Sequence, residues 1–353
     1  MGAIVHHNNN IGLIRLIFAS LVVVAHAYVL TGIGMQEPLA VYTDTFTLGS
    51  LGVDGFFLIS GYLITQSMLR TRSARDFLLR RVLRIYPAFL VAYAIGGWLA
   101  AAIRPGYPIE LWRALVLFHP FDVIAPPGQQ GFTANSPMWT IGYEFRCYLV
   151  VMLLGTIGLL AQRRRVLGLA IIFWALYLFI RLPELWSIRA FKAPLALDIA
   201  VGNLLPTLRF FAIFGIGMVA YLYRDALLPR LNIWVVLASL AGIVLTLAHP
   251  IWGESLFMLF AAAIVFWAAF RLRIGPLQKI NDSWDISYGT YLYGWPLGNL
   301  LIWLQPEWDV GPFILVNLVG AWALGAASWF LLERHCNLTN LRRLVPARGR
   351  VAD

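Results

Sequence analysis

Ionisable side chains lie inside long apolar stretches of this sequence. Arg15 and His26 share one stretch, Asp54 stands near the start of a second, and Glu144 near the start of another. A charge at bilayer depth costs at least about 2.5–3.5 kcal/mol on insertion scales, so these residues are candidates for a functional site. The ordinary pKa of histidine is about 6.5, close to the operating pH, so His26 is suited to acid–base chemistry.

Spacing along the chain predicts where these groups lie. Arg15 and His26 are eleven residues apart, close to three helical turns, so they share a helix face and are about 16 Å apart. Counting inward from the outer ends of the stretches puts His26, Asp54 and Glu144 each about 8 Å deep. We therefore expect one cluster of acid–base groups at this depth.

The residues near Glu144 in the sequence indicate which groups its carboxylate can contact. Glu144 and Tyr148 are four residues apart and share a helix face, whereas Arg146 points away from that face. We therefore expect Glu144 to pair with a group other than Arg146. A structural role for Glu144 is as open as a functional one.

Structural explanations stay open for the other groups as well. His26 can hydrogen-bond a neighbouring helix, and Asp54 can cap the second helix near Gly52. Arg209 stands at the start of its stretch, and we expect its long side chain to extend outward to the membrane surface.

A second cluster, Arg80, Arg81 and Arg84, precedes a Tyr-Pro pair at 86–87. Runs of arginine beside apolar stretches mark the cytoplasmic side and contact lipid headgroups. Arginine also grips phosphate through two parallel hydrogen bonds. An anionic cytoplasmic cosubstrate, such as a phosphorylated carrier, would fit this position.

The composition indicates what holds these residues in place. Of 353 residues, 60% are hydrophobic and 12% are charged, and the mean hydropathy is +0.74. These values exclude a soluble protein, and two cysteines exclude a disulfide scaffold. The net charge of +10 lies mostly in short loops, which indicates membrane topology and argues against nucleic-acid binding.

About ten stretches are long enough to span a membrane, so the predicted fold is an all-α polytopic membrane protein. These stretches run near 11–31, 49–69, 83–103, 139–160, 166–181, 205–223, 232–249, 252–270, 286–304 and 312–332. A cytoplasmic N-terminus places 19 basic residues inside and 5 outside, so both termini are expected in the cytoplasm. We expect a single domain over 1–353, with an outer loop near 104–138 and a short cytoplasmic tail near 333–353. No metal site is expected.

Five sets of residues together resemble the acyltransferase-3 family of bacterial membrane enzymes, which O-acylate surface polysaccharides and other small acceptors. The resemblance covers nearly the whole chain. Its motifs are Arg15 with His26, GVDGFFLISGYLI at 52–64, RVLRIYP at 81–87, MWTIGYE at 138–144 and SYGTYLYGWP at 287–296. Five motifs in family order are far more specific than any one of them.

The resemblance implies an acyl-CoA cosubstrate, usually acetyl-CoA, and a hydroxyl acceptor on a carbohydrate, a lipid-linked saccharide or a related envelope molecule. Arg15, Arg81 and Arg84 would contact the phosphates of CoA, and the pantetheine arm would extend toward His26. His26 would be the general base, with Asp54 and Glu144 as supporting acids. Further candidates to bind the substrate are the motif residues Tyr143, Trp139 and Tyr288.

One position departs from the family pattern, because many members carry histidine where this sequence has Gly294. We also expect no periplasmic esterase-like domain of the kind that longer members carry. The expected location is the inner membrane of a bacterium, among membrane lipids. A transporter or flippase of a lipid-linked saccharide is the alternative function. The acceptor, the acyl chain length, direct transfer against a covalent acyl-enzyme and the oligomeric state stay open.

Overall fold

The protein is built almost entirely from helices. The computed structural model describes residues 9–43, 46–71, 73–118, 123–124, 132–185, 187–188, 194–247, 249 and 251–344. The α-helices of this part of the chain are Ile11–Leu30 (α1), Pro38–Thr43 (α2), Leu48–Arg70 (α3), Ala74–Ile103 (α4), Leu111–Leu115 (α5), Trp139–Thr156 (α6), Arg163–Ile180 (α7), Leu195–Ala200 (α8), Leu204–Leu222 (α9), Arg224–Leu227 (α10), Ile233–Thr246 (α11), Gly253–Phe270 (α12), Ser287–Leu304 (α13), Val310–Leu331 (α14) and Leu338–Leu344 (α15). Short 3-10 helices cover Gly34–Gln36, Ser136–Met138, Leu159–Ala161, Pro183–Leu185, Leu228–Arg230, Gly275–Lys279 and Glu333–His335.

Several of these helices are long and apolar enough to cross a membrane. Within the described ranges there are 6: Ile11–Leu30, Leu48–Arg70, Ala74–Ile103, Leu195–Leu222, Gly253–Phe270 and Val310–His335. A further span arises if Arg224–Arg230 and Ile233–Thr246, which meet at 87°, are counted as one bent element. The chain is therefore a multi-pass helical membrane protein.

The expectation of ten spans is met only in part. Each of the ten predicted stretches overlaps one helix, namely α1, α3, α4, α6, α7, α9, α11, α12, α13 or α14. Three of these helices have 18 residues but carry too many charged or polar side chains to count as candidate spans: α6, α7 and α13. The structure thus shows six candidate spans, and the further four are not established.

Helix α4 begins earlier than the sequence pattern predicts. Its apolar part was expected to start near residue 83, with the arginine cluster in the preceding loop, but the helix already begins at Ala74. Arg81 and Arg84 therefore lie on one face of a regular helix, three residues apart. Both side chains line the same cavity, which is described below.

Helix α1 packs against α3, α13 and α14, which makes it the central element of the site described below. Helix α3 in turn packs closely against α9 through small residues. A Cβ atom added to Gly61 would lie 2.1 Å from the carbonyl oxygen of Phe214, and one added to Gly217 would lie 2.1 Å from that of Leu58. Backbone-to-backbone contact of this kind is the usual way in which membrane helices associate.

The main apolar core surrounds this contact and involves α3, α4, α6, α9 and α13. The rings of Phe57 and Phe210 stack with their centroids 4.1 Å apart, and Tyr62 meets Tyr221 edge to face at 5.2 Å. These aromatic contacts fix α3 against α9. Other residues of α3 are left to line cavities toward α1 and α6.

The predicted outer loop near 104–138 is described only in part. It contains α5 and two short antiparallel strands, Val123–Ile124 (β1) and Phe132–Thr133 (β2). Its end is fixed to α13, because the carbonyl oxygen of Thr133 accepts hydrogen bonds from Trp295 Nε1 at 2.7 Å and Asn299 Nδ2 at 2.9 Å. Parts of the predicted outer loop, 119–122 and 125–131, and the end of the predicted tail, 345–353, lie outside the described residues.

Gly217→Ala should destabilise the protein, because the added methyl group would force α3 and α9 apart. Overpacking of this kind costs about 1–3 kcal/mol. Thermal unfolding in detergent, followed by fluorescence-detected size-exclusion chromatography, measures the effect. Gly168→Ala in α7 is the matched control, because its Cβ would meet nothing within 4 Å. Equal melting temperatures for the two variants would contradict the packing argument.

Candidate active site

A cavity of about 480 Å³ lies between α1, α3, α4, α6 and the segment after α14, and we call it the basic cavity. Five arginines and three carboxylates line it: Arg15, Arg80, Arg81, Arg84, Arg334, Glu144, Asp285 and Glu333. Positive charges outnumber negative ones, so the cavity favours an anionic ligand.

Two of these arginines are held by carboxylates. Arg84 donates to Asp285 Oδ2 at 2.6 Å and to Glu333 Oε2 at 2.6 Å, and Arg15 donates to the same Asp285 oxygen. Burial raises the pKa of Asp285, but Arg15 and Arg84 together outweigh it, so that pKa lies well below its usual range. Asp285 is therefore ionised at physiological pH and fixes both guanidinium groups.

Arg81 packs against two aromatic rings. Its guanidinium carbon lies 5.8 Å from the ring centroid of Phe77 and 6.0 Å from that of Tyr148. Its Nε atom is buried and has no hydrogen-bond partner among the residues that the structure describes. A buried donor without a partner is costly, so Arg81 is the arginine best prepared to bind an anion.

Glu144 lies on the wall of the basic cavity. Its Oε1 atom accepts a hydrogen bond from Ser60 Oγ at 2.9 Å and another from the hydroxyl of Tyr148. Arg146 turns away and donates to two backbone carbonyls of α8. The predictions that Glu144 and Tyr148 share a face and that Glu144 avoids Arg146 are confirmed.

A second cavity, of about 250 Å³, lies at the opposite side of the site, and we call it the outer cavity. Its walls include His26, Glu37, Trp139, Arg209 and Tyr291. The imidazole of His26 meets the ring of Trp295 edge to face, with the centroids 4.8 Å apart. Over the described residues, the imidazole nitrogens of His26 have no recorded hydrogen-bond partner, which leaves them to a ligand of the outer cavity.

Asp54 lies in a chain of buried ion pairs. Both of its carboxylate oxygens accept from Arg209, at 3.0 and 2.8 Å. Arg209 also meets Glu254 at 2.9 Å, and Glu254 meets Arg181 at 2.6 Å. The expectation that Arg209 extends outward is wrong, because two carboxylates hold it inside the bundle. The capping alternative for Asp54 is also wrong, because Thr47 caps α3.

A narrow cavity of about 50 Å³ lies between the two larger ones. It shares Arg15, Arg84, Glu144 and Tyr148 with the basic cavity, and Val53 and Tyr291 with the outer cavity. The hydroxyl of Tyr291 donates to the carbonyl oxygen of Pro137 at 2.6 Å and accepts from Thr140 at 2.6 Å. Tyr291 is thus held in place where the narrow cavity meets the outer one.

The three residues predicted to bind the substrate lie in different places. Trp139 lines the outer cavity, whereas Tyr288 lines the narrow cavity and donates to the carbonyl oxygen of Ile85 at 3.0 Å. The hydroxyl of Tyr143 accepts from the backbone of Asn203 at 3.0 Å, beside a separate cavity of about 120 Å³. Of the three, only Trp139 shares a wall with His26.

The structure does not bring His26, Asp54 and Glu144 into one cluster. His26 lines the outer cavity, Glu144 lines the basic and narrow cavities, and Asp54 is buried against Arg209. Side chains at the same depth on three helices can point in different directions, so equal depth does not bring them together. Their catalytic roles stay predictions.

Sequence reasoning missed three residues of the site. Arg209 was visible as a charge in an apolar stretch, which is the signal of a functional group. Asp285 stands outside the apolar stretches, and Glu37 lies in a loop, where it accepts hydrogen bonds from the backbone of Ala40 and Leu48. Neither carried a signal in the sequence.

Gly294, the position where many family members carry histidine, faces α1. A Cβ atom added there would lie 2.6 Å from a methyl group of Val23. A histidine at this position would require the side chain of Val23 to shift. Among the described residues, no group of three or more His, Cys, Asp or Glu side chains could hold a metal ion.

Comparison with known proteins agrees with this arrangement. The acyltransferase-3 family model, described as an acyltransferase domain, matches residues 8–333. Nodulation protein 10 of Rhizobium leguminosarum bv. viciae is 29% identical over 93% of this chain and 93% of its own length. The O-acetyl transferase of Shigella phage Sf6 is 27% identical over 93% of this chain and 96% of its own length.

No solved structure matches the chain significantly. The family model covers most of the residues that line the three cavities, and both relatives match over 93% of this chain and at least 93% of their own length. The chain belongs to the acyltransferase-3 family, and it is a membrane O-acyltransferase.

Proposed function

We propose that this enzyme takes its acyl group from acyl-CoA bound in the basic cavity and transfers it to a hydroxyl of a saccharide in the outer cavity. The observation that carries this proposal is the series of three cavities, each sharing wall residues with the next. A basic cavity stands at one end and His26 at the other. The acyl group would be an acetyl group, which the name of the phage relative supports.

The basic cavity suits the phosphates of CoA. Asp285 and Glu333 neutralise much of the charge of Arg15 and Arg84, so these two arginines are less available than the sequence suggests. Arg81, with its unpartnered Nε, is the stronger candidate for a phosphate contact. Phosphate accepts parallel hydrogen bonds from a guanidinium group, and lysine could not replace that geometry.

The narrow cavity suits the pantetheine arm. A water molecule needs about 10–15 Å³ of such space, so about 50 Å³ holds roughly four waters. This space suits a single unbranched chain better than a sugar ring. The same argument disfavours passage of a lipid-linked saccharide, so a transporter or flippase finds no support in these cavities.

The outer cavity suits the reaction itself. Its volume of about 250 Å³ is near the lower end of small-molecule sites, which hold about 300–1,000 Å³. His26 would take the proton from the acceptor hydroxyl as its oxygen attacks the thioester carbon, and would return a proton to the departing CoA sulfur. Glu37, Thr47 and Ser50 supply polar groups that can bind further hydroxyls of a saccharide.

The orientation follows from the charges. The arginines of the basic cavity lie at the end of the bundle where the predicted cytoplasmic loops begin, which would place the donor site toward the cytoplasm. This orientation agrees with ten spans, with both termini in the cytoplasm, and with the inner membrane of a bacterium as the location. The whole of 1–353 would act as one domain.

Arg81→Ala should weaken binding of acetyl-CoA by roughly 10- to 100-fold, because a hydrogen bond to a charged group contributes about 1.5–3 kcal/mol. Isothermal titration calorimetry on the purified protein in detergent measures this change. Arg164→Ala, which removes the same charge from an exposed position at the start of α7, should bind as the wild type does. Equal affinities for both variants would remove Arg81 from the donor site.

His26→Gln should lower the rate of acetyl transfer by about 10²–10⁴-fold, which is the usual contribution of a general base. Its affinity for acetyl-CoA should not change, because the CoA phosphates lie in the other cavity. The assay combines CoA-thiol release with proton NMR of O-acetyl signals on surface glycans from complemented cells. His249→Gln, at an exposed histidine, is the control. Full O-acetylation by His26→Gln would show that another group is the base.

A further inference from the structure

Arg209 shares the outer cavity with His26, although the sequence indicated only a surface role for it. Its side chain is 18% exposed, whereas those of its partners Asp54 and Glu254 are 0% and 8% exposed. The two carboxylates are therefore buried more deeply than the guanidinium group. Arg209 is the member of this ion-pair chain that reaches the outer cavity.

The guanidinium group of Arg209 has more N–H donors than its carboxylate partners use. A guanidinium group carries five N–H donors. Nε and Nη2 each donate one hydrogen bond to Asp54, and Nη1 lies 2.9 Å from Glu254 Oε1 in an ion pair. Even with one N–H group assigned to Glu254, two N–H groups have no hydrogen-bond partner in the part of the chain that the structure describes, and Arg209 lines the outer cavity.

We propose that Arg209 is a further catalytic residue, whose free N–H groups bind the thioester oxygen as negative charge develops on it. This inference rests on the proposed function. The acceptor oxygen forms a bond to the thioester carbon while its proton passes to His26, and the carbonyl π electrons move onto the oxygen facing Arg209. The carbonyl then re-forms, the carbon–sulfur bond breaks, and the CoA sulfur takes the proton back from His26. Acetyl ester and CoA are the only products, so atoms and charge balance.

The ion pairs hold the guanidinium group of Arg209 in a fixed position, which this role requires. Donors aimed in advance at the developing charge stabilise a transition state because they need no reorganisation during the reaction. Asp54 accepts from Nε and Nη2 along one edge of the guanidinium group, and Glu254 pairs with Nη1. Asp54 thereby acts as a positioning residue, which explains a buried carboxylate near the site that does not contact His26.

A purely structural ion pair joining α3, α9 and α12 is the competing explanation, and kinetics separate the two. Arg209→Lys keeps the positive charge beside Asp54 and Glu254 but loses the planar fork of donors. Arg181→Lys makes the matched change in the same chain at a residue that does not line the outer cavity. Both variants would be purified in detergent with the wild type. Acetyl-CoA and envelope polysaccharide de-O-acetylated with mild base are the substrates.

For Arg209→Lys we expect kcat to fall by about 10²–10³-fold, the usual loss of one oxyanion donor, with the KM for polysaccharide, the acetyl-CoA affinity and the melting temperature unchanged. Arg181→Lys should keep the wild-type kcat. A wild-type kcat in Arg209→Lys, a rise in KM alone, or an equal loss of kcat in both variants would each overturn the proposal.

Two additions keep the test decisive. The double variant Asp54→Asn/Arg209→Gln replaces the ion pair by a neutral hydrogen-bonded pair, so it removes the guanidinium without leaving a buried carboxylate alone. Its kcat should be as low as that of Arg209→Lys at a wild-type melting temperature, and a wild-type kcat would overturn the role of Arg209. If the wild type itself neither binds acetyl-CoA nor transfers acetyl, the proposed function fails, and that result is distinct from failure of the Arg209 variants.

Discussion

The cost of burying charge between apolar helices governs this structure. A lone charge inside the bundle would cost several kcal/mol, so each buried ion needs a partner within reach. Asp54 and Arg209 join α3 to α9, and the contact of Arg209 with Glu254 extends the chain to α12. At the other end, Asp285 connects Arg15 of α1 with Arg84 of α4. The two networks fix the helices on either side of the cavities, so the same charges that could do chemistry also position the elements around it.

Close helix packing limits what can pass between these networks. The glycines of α3 and α9 bring two backbones into contact, and the aromatic core fills the space beside them. The cavity between the basic and outer cavities is narrow, and its walls come from α1, α3, α4, α6 and α13. Tyr291, held by two hydrogen bonds, lines both this cavity and the outer one. Under the proposed function, an unbranched chain would reach from one side to the other, and the packing would keep the donor and acceptor sites apart.

The sequence predicted the local features well. Apolar stretches overlapped helices, and the four-residue spacing of Glu144 and Tyr148 predicted a contact that the structure confirms. Helical periodicity predicts which face of a helix a residue occupies, but it does not predict which other helix packs against that face. The partner of Asp54 is 155 residues away, so Arg209 could be misplaced at the surface even though its charge was noticed. The count of ten spans is confirmed only in part for a related reason, because α6 and α13 carry polar residues that lower their mean hydropathy.

Charge pairing also divides the arginines into two kinds. Arg15 and Arg84 are neutralised by carboxylates and contribute mainly geometry, whereas Arg81 keeps a buried donor without a partner. The packing around Gly294 bears on which imidazole groups line the outer cavity. This chain has Gly294, packed against Val23, where many family members carry histidine, and His26 is the only imidazole that lines the outer cavity among the described residues. A mechanism in the outer cavity would therefore draw on one histidine and on cations that the bundle already holds in place.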